Sequence, residues 1–463
     1  MRYVSTRGQA PVLEFADVLL AGLATDGGLY VPESYPRLPE LALDVPYAEL
    51  AAAVMQPYVE GSVAPHVLAS ICADAYGGFR HPAVVPLVQL DTNEWICELF
   101  WGPTLAFKDV ALQVVGRLFD HVLGIRGRRV TIVTATSGDT GGAAIDSALG
   151  RANIDVVVLF PNGRVSDVQR RQMTTVDAAN VHAVAVDGTF DDCQDLVKAM
   201  FADASFREAV QLGAMNSINW ARVMAQVVYY YSCARHLGGG LGGRPISFAV
   251  PTGNFGNILA GWVAAQMGLP VDQLVVGSNQ NDILTRWLES GEMRTAGVVP
   301  SLSPSMDIQV SSNVERLLFE LNGRDGAMTA GQMQRFRSTG SLALEPDQHA
   351  EVSARFSAAR LNDEGTLAVI GEVYRSTGML LDPHSAVGLH AARTCWRDRQ
   401  VPMVSMATAH PAKFPDAVRQ ATGHHPELPD HLAGLLDLPE QFTVLPNDLV
   451  AVERFIRQAV QHP

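Results

Sequence analysis

The 463-residue chain has little cysteine, no long hydrophobic run and no excess of basic charge, and each shortage narrows what it can be. Its five cysteines, at 72, 97, 193, 233 and 395, form no CxxC pair and no other metal-ligand spacing. The expectation is therefore free thiols in a reducing compartment, packed as small hydrophobes, with no metal site. No apolar run reaches a clean membrane-spanning length, and no basic start leads into a long apolar core. A soluble cytoplasmic protein without a membrane partner is expected. Acidic residues outnumber basic ones by 48 to 34, a formal charge of -14, which argues against nucleic acid as a partner. Against that background an anionic small ligand would need a focused site, built from loop amides and a few chosen cations. No glycine loop ends in GK[ST], and the glycine-rich span HLGGGLGGRP, 236–245, follows no strand and reads as a link between lobes. Triphosphate and dinucleotide binding are weakened accordingly.

What is present is a long chain, 48% hydrophobic, with material for more than one core. The first 80 residues mix short helical patterns with turn signals such as TDGGLYVPE, 25–33, and read as a mainly helical domain. Beyond it, short apolar strands alternate with helical segments. RVTIVTA (129–135), IDVVVLFP (154–161), VHAVAVDG (181–188), PISFAVPTG (245–253) and LVVGSN (274–279) are such strands. This grammar predicts an α/β fold: open, mostly parallel sheets with helices on both faces. The expected division is a large lobe of 81–126 and 245–463, carrying an insertion near 301–365, and a small lobe of 127–240. The stretch 91–97 reads as an edge strand leading into the next motif.

Five short segments carry chemistry. In PTLAFKDVALQ, 103–113, Lys108 stands among Leu105, Ala106, Phe107 and Val110. It is either a desolvated amine available as a nucleophile or a lysine that snorkels from a helix start. PTGNFGNI, 251–258, places Gly253 and Gly256 between a strand and a helix, where converging amides of Gly253, Asn254, Phe255, Gly256 and Asn257 suit a phosphate, or simply form a turn. SGDTG, 137–141, occupies the equivalent place in its own unit; Ser137, Asp139 and Thr140 there are ligand contacts or helix caps. The two loops together suggest two anionic groups, one on each lobe. NSINWAR, 216–222, offers Asn216, Ser217, Asn219 and Arg222, an arginine entering an apolar helix that needs either a ligand phosphate or a structural carboxylate. ATAHPAKF, 407–414, puts Thr408 past a strand end, with His410 read as a satisfied loop histidine rather than an acid or base.

Together with YVSTRG (3–8) and GLATDGGLYVPE (22–33), these segments resemble the pyridoxal-phosphate-dependent threonine synthases, in the longer subgroup with an added N-terminal domain and the tryptophan-synthase-β type of fold. The order LAFKD, SGDTG, GNFGN is the specific part, and the N-terminal stretches favour this family over dehydratases and cysteine synthases. The resemblance implies a monomer or homodimer that uses pyridoxal 5'-phosphate to convert O-phospho-L-homoserine and water to L-threonine and inorganic phosphate. It implies that Lys108 carries the cofactor as a Schiff base and shuttles protons, that 253–257 cradle its phosphate, and that Thr408 faces its ring nitrogen. Ser137, Asp139 and Thr140 would meet the substrate carboxylate and the cofactor region; Asn216, Ser217, Asn219 and Arg222 would hold the substrate phosphate. Two rivals remain: a β-eliminating dehydratase, favoured if 217–222 were neutral or acidic, and a non-catalytic partner-binding homologue, favoured if Lys108 were exposed.

Overall fold

The computed structural model describes residues 1–136, 138–213, 215–238 and 240–460. Two open sheets organise the chain. The larger runs Phe356–Arg360, Val271–Ser278, Ile246–Pro251, Met403–Ala407, Glu94–Glu98, Leu87–Asp91 and is parallel except for the last strand. The smaller runs Thr443–Pro446, Val181–Asp187, Ile154–Pro161, Val130–Ala135, Leu212–Gly213 and is parallel throughout. The strands that read as continuous apolar runs are the central ones: Ile154–Pro161, Ile246–Pro251 and Met403–Ala407 are buried at every position. Helices on both faces make this necessary, since neither face meets water.

Four helices tie the lobes together. Lys108–Arg126 packs against Asp139–Ala148 and against Trp220–Gly238, which in turn packs on Gly256–Gln266. At Gly116 the first contact is backbone to backbone: a Cβ there would stand 2.3 Å from the Ser147 carbonyl oxygen, so no larger residue fits.

The mainly helical N-terminal region also contains a small antiparallel sheet, Leu13–Glu14, Arg2–Ser5 and Tyr30–Pro32. Its YVSTRG segment is latched to the large lobe. Thr6 Oγ1 donates to Glu315 at 2.7 Å, and Arg7 grips the same carboxylate through Nε at 2.9 Å and Nη2 at 2.8 Å.

Three expectations need correction. The stretch 91–97 is a hairpin: Asn93 takes a left-handed φ of 59°, which asparagine tolerates, so Leu87–Asp91 forms the edge and Glu94–Glu98 lies inside it. The span 301–365 is not all insertion, because Phe356–Arg360 is the opposite edge strand of the large sheet. The last segment of the chain returns to the small lobe: Thr443–Pro446 pairs with Val181–Asp187, and Val452 and Ile456 of Leu449–Ala459 pack with Val133, Val157 and Val184. Local patterns identify a strand, but only pairing decides which sheet receives it.

Candidate active site

The loop carrying Lys108 is held from two sides. Leu105 adopts a left-handed φ of 62°, the Phe107 amide donates to the Thr408 carbonyl at 2.8 Å, and the His410 amide donates to the Leu105 carbonyl at 3.0 Å. Thr104 donates twice to Asp109, from Oγ1 at 2.6 Å and from N at 2.8 Å. Burial nevertheless pushes the Asp109 carboxyl up to about 7, ahead of the lowering effect of those bonds. These ties present Lys108 as the first residue of Lys108–Arg126, with 8% of its surface exposed. A snorkelling lysine is thereby excluded.

Its ammonium has few partners: Nζ lies 3.6 Å from Asp139 Oδ2 and 3.5 Å from Ser305 Oγ. Burial lowers the amine to about 8; Asp139 opposes that, and Lys413 and Arg222 reinforce it. Asp139 itself lies beneath the cleft lining, bound by Lys413 Nζ at 2.9 Å and Gln169 Nε2 at 2.9 Å. Burial raises its carboxyl, but Lys413, Lys108 and His384 outweigh it, and Asp139 stays ionised far below the usual range. Lys413 is fully buried and also donates to the Thr104 carbonyl at 2.8 Å.

Opposite Lys108 stands the 251–257 loop. Phe255 takes φ 61°, and a Cβ on Gly253 would come 2.5 Å from the Ser305 carbonyl oxygen, so the loop depends on its glycine. Its carbonyls are bound outward, Gly253 by Ser311 Oγ at 2.7 Å and Asn254 by Asn313 Nδ2 at 2.8 Å. Among the described residues nothing accepts from the amides of Gly253, Asn254 and Phe255. Gly256 and Asn257, opening a helix, lack intrahelical acceptors for theirs. Asn257 Oδ1 accepts from Tyr229 at 2.6 Å and Tyr230 at 2.8 Å, whereas its buried Nδ2 has no partner among the described residues.

A cleft of about 770 Å³ joins these groups. Lys108, Thr140, Asn216, Ser217, Arg222, Gly253, Asn254, Phe255, Gly256, Asn257 and Thr408 all line it. Asn219 does not: it is wholly buried, donating to the Leu19 carbonyl at 2.8 Å and capping the Ala221 amide at 3.1 Å, so it anchors the loop to the N-terminal region. Ser137 lies outside the described residues. Arg222 is 4% exposed with an unpartnered Nε, and no carboxylate among the described residues pairs with it; burial draws it down to about 10. The structural-carboxylate alternative for Arg222 is overturned. His410 is outside the lining, packs on Phe100 and accepts from the Ala412 amide at 3.2 Å; burial lowers it to about 4.

Sequence reasoning passed over Lys413, Ser305, His384 and Gln226. His384 lines the cleft, its Nε2 accepting from the Ser305 amide at 3.3 Å and its Nδ1 bonded to Asp382 at 2.8 Å. The DPHS signal marked only a helix start, with Asp382 as N-cap and proline at the first position. Among the described residues no cluster of three or more His, Cys, Asp or Glu gathers to hold a metal.

Residues 81–402 match the family model described as pyridoxal-phosphate dependent enzyme; 2–76 match threonine synthase N terminus and 385–456 threonine synthase, C-terminal. Threonine synthase of Pseudomonas aeruginosa is 55% identical over 99% of this chain and 98% of its own length. The chain belongs to the threonine synthase family. The crystal structure of PLP-bound threonine synthase from Brucella melitensis superposes with a TM-score of 0.97 at 52% identity, covering 100% of both chains. Threonine synthase from yeast gives 0.92 at 37% identity, over 99% of this chain and 98% of that one. The fold is thus that of a pyridoxal-phosphate-dependent threonine synthase, N-terminal domain included.

Proposed function

We propose that the protein binds pyridoxal 5'-phosphate and converts O-phospho-L-homoserine and water to L-threonine and inorganic phosphate, acting in the cytoplasm as a carbon-oxygen lyase on a phosphate ester. The observation that carries this reading is Arg222: beside the phosphate-shaped loop at 253–257, the same cleft holds a second buried cation that pairs with no anion among the described residues. A dehydratase needs one phosphate site, and this cleft offers two. The burial of Lys108 speaks equally against a partner-binding homologue.

The cofactor fits the residues present. Its phosphate would take the free amides of 253–257 at the positive end of Gly256–Gln266, and the orphaned Nδ2 of Asn257 is a donor awaiting an acceptor. Thr408 would meet the ring nitrogen with a hydroxyl rather than a carboxylate. When bound, pyridoxal phosphate supplies an electron sink that acidifies protons on the substrate carbons near its amine. Lys108 would take and return those protons at Cα and Cβ; an amine brought down to about 8 exchanges them readily near neutral pH. Asn216, Ser217 and Arg222 would hold the substrate phosphate and stabilise charge as it leaves Cγ. Thr140 would donate to the substrate carboxylate. Asp139, an anion already held by two lysines, suits that task poorly and is better placed to orient Lys108. The five unpaired thiols support the cytoplasmic placement.

The test is absorbance of the purified protein before and after O-phospho-L-homoserine, with phosphate and threonine assayed together. A cofactor band lost in Lys108→Ala, with phosphate and threonine formed in equal amounts by the parent, is the expected outcome. A keto acid in place of threonine would sink the synthase reading and keep the cofactor.

A further inference from the structure

Asn313 occupies the N-cap position of the helix Val314–Leu321, yet its side chain caps nothing there. N-cap asparagines ordinarily spend their side-chain oxygen on the helix's own first amides. Here Oδ1 accepts from Arg316 Nη1 instead, and Nδ2 donates to the Asn254 carbonyl at 2.8 Å and the Ser217 carbonyl at 3.2 Å. One amide group therefore bridges the loop 251–257 and the loop 216–222. Arg316 completes the bridge, with Nη2 donating to the Ile218 carbonyl at 2.5 Å, and Nη2 and Nε to the Tyr30 carbonyl at 3.0 and 3.1 Å. Both side chains are buried, at 0% and 1% exposure, and Arg316 forms no ion pair among the described residues. A guanidinium buried on three carbonyl and amide acceptors is an expensive way to pack a core.

Its geometric effect is specific. A trans peptide points its N–H opposite to its C=O, so drawing the Asn254 carbonyl toward Asn313 turns the Phe255 amide toward the cleft. The same residue holds the Ser217 carbonyl, and thereby the strand of backbone that leads to Arg222. We infer that Asn313 and Arg316 act as a spacer that sets the separation between the two phosphate sites, and with it the length of phosphorylated amino acid the cleft accepts. This inference rests on the two-phosphate reading above. Neither residue lines the cleft, so they are positioning residues.

The test uses the full-length, cofactor-loaded protein and two near-isosteric variants. Asn313→Asp keeps the acceptor for Arg316 and replaces the donor to both loops by a carboxylate oxygen that repels their carbonyls. Arg316→Lys keeps the charge and loses the fork. Misplacement of one anion site by a fraction of an ångström should raise KM for O-phospho-L-homoserine about tenfold or more, with kcat and cofactor content little changed. The inhibition constant of O-phospho-L-serine, one methylene shorter, should move toward that of the parent substrate, narrowing the discrimination. Calorimetric titration of inorganic phosphate, which needs no turnover, should show the same loss of affinity. If the parent forms no threonine but the variants still lose phosphate affinity, the reaction assignment fails and the spacer stands. Unchanged KM and phosphate affinity in both variants would overturn the spacer. So would a parallel fall in kcat, cofactor content and melting temperature, or failure of both variants to fold, since either outcome leaves only a structural role.

Discussion

Two strand-loop-helix units share one sequence grammar and differ in what fills the helix start. After Val130–Ala135, Thr136 Oγ1 accepts from the amides of Gly138 and Gly141, both at 2.9 Å, and Asp139 brings its own carboxylate to a pair of lysines. After Ile246–Pro251, the corresponding loop has no acidic residue, its Gly253 and Asn254 carbonyls are bound outward, and among the described residues nothing accepts from the amides of Gly253, Asn254 and Phe255. One unit carries its anion in the chain, and the other is built to receive one. The two glycine loops are therefore not equivalent as anion sites. A glycine turn before a helix offers its amides to an anion, but here a threonine hydroxyl inside the turn already takes two of them. Arg222, on neither glycine loop, is a buried cation that no carboxylate among the described residues pairs with.

The comparison can be broken at Lys108, which stands between the two loops. Lys108→Ala should lower turnover about 10²–10⁴-fold or more, measured as threonine release, with the cofactor band lost. Removing the built-in anion comes next. Asp139→Asn leaves two buried ammonium groups uncompensated and should cost about 3–5 kcal/mol in urea unfolding. Because Asp139 raises the Lys108 pKa, the variant should also move any activity limb governed by that amine to lower pH.

A pH titration of stability sharpens the same point. The Lys108 amine falls from 10.5 to about 8 on folding, so between those values the unfolded chain holds a proton that the folded one lacks. Stability of the cofactor-free protein should therefore rise with pH across that window, and a Lys108→Met variant should lack this increment of about 3 kcal/mol. On the empty loop, Gly253→Ala forces a Cβ toward the Ser305 carbonyl, a clash of about 1–3 kcal/mol that a cofactor titration should read as roughly tenfold weaker binding. The smallest effect is expected at His410, outside the cleft: His410→Ala should leave kcat unchanged and cost at most about 1 kcal/mol through the lost Ala412 contact.

Most of the site was legible because its residues sit in contiguous motifs at strand ends. Lys108, the 253–257 loop, Arg222 and Thr408 could be proposed from spacing and chemistry, and one cleft does gather them. Asn219 misled because an asparagine beside a helix start reads the same whether it caps a helix or faces a ligand; its bonds to Leu19 and Ala221 settle the choice. Lys413 was passed over although it lies in a quoted motif. Its signal, a lone lysine between apolar residues, is the one that marked Lys108, but its partner Asp139 is far away in sequence.

By itself, the sequence determined which segments form strands and helices, where the glycine turns fall, and which few cations stand in apolar surroundings. Those features are local: hydrophobic period, turn chemistry and the cost of burying charge act within a few residues. Tertiary structure alone decided that Thr443–Pro446 crosses to the small sheet, that Asp139 binds Lys413, and that Asn313 links two loops. Each is a pairing between residues remote along the chain, and no local preference distinguishes one remote partner from another; only packing brings the right pair within reach.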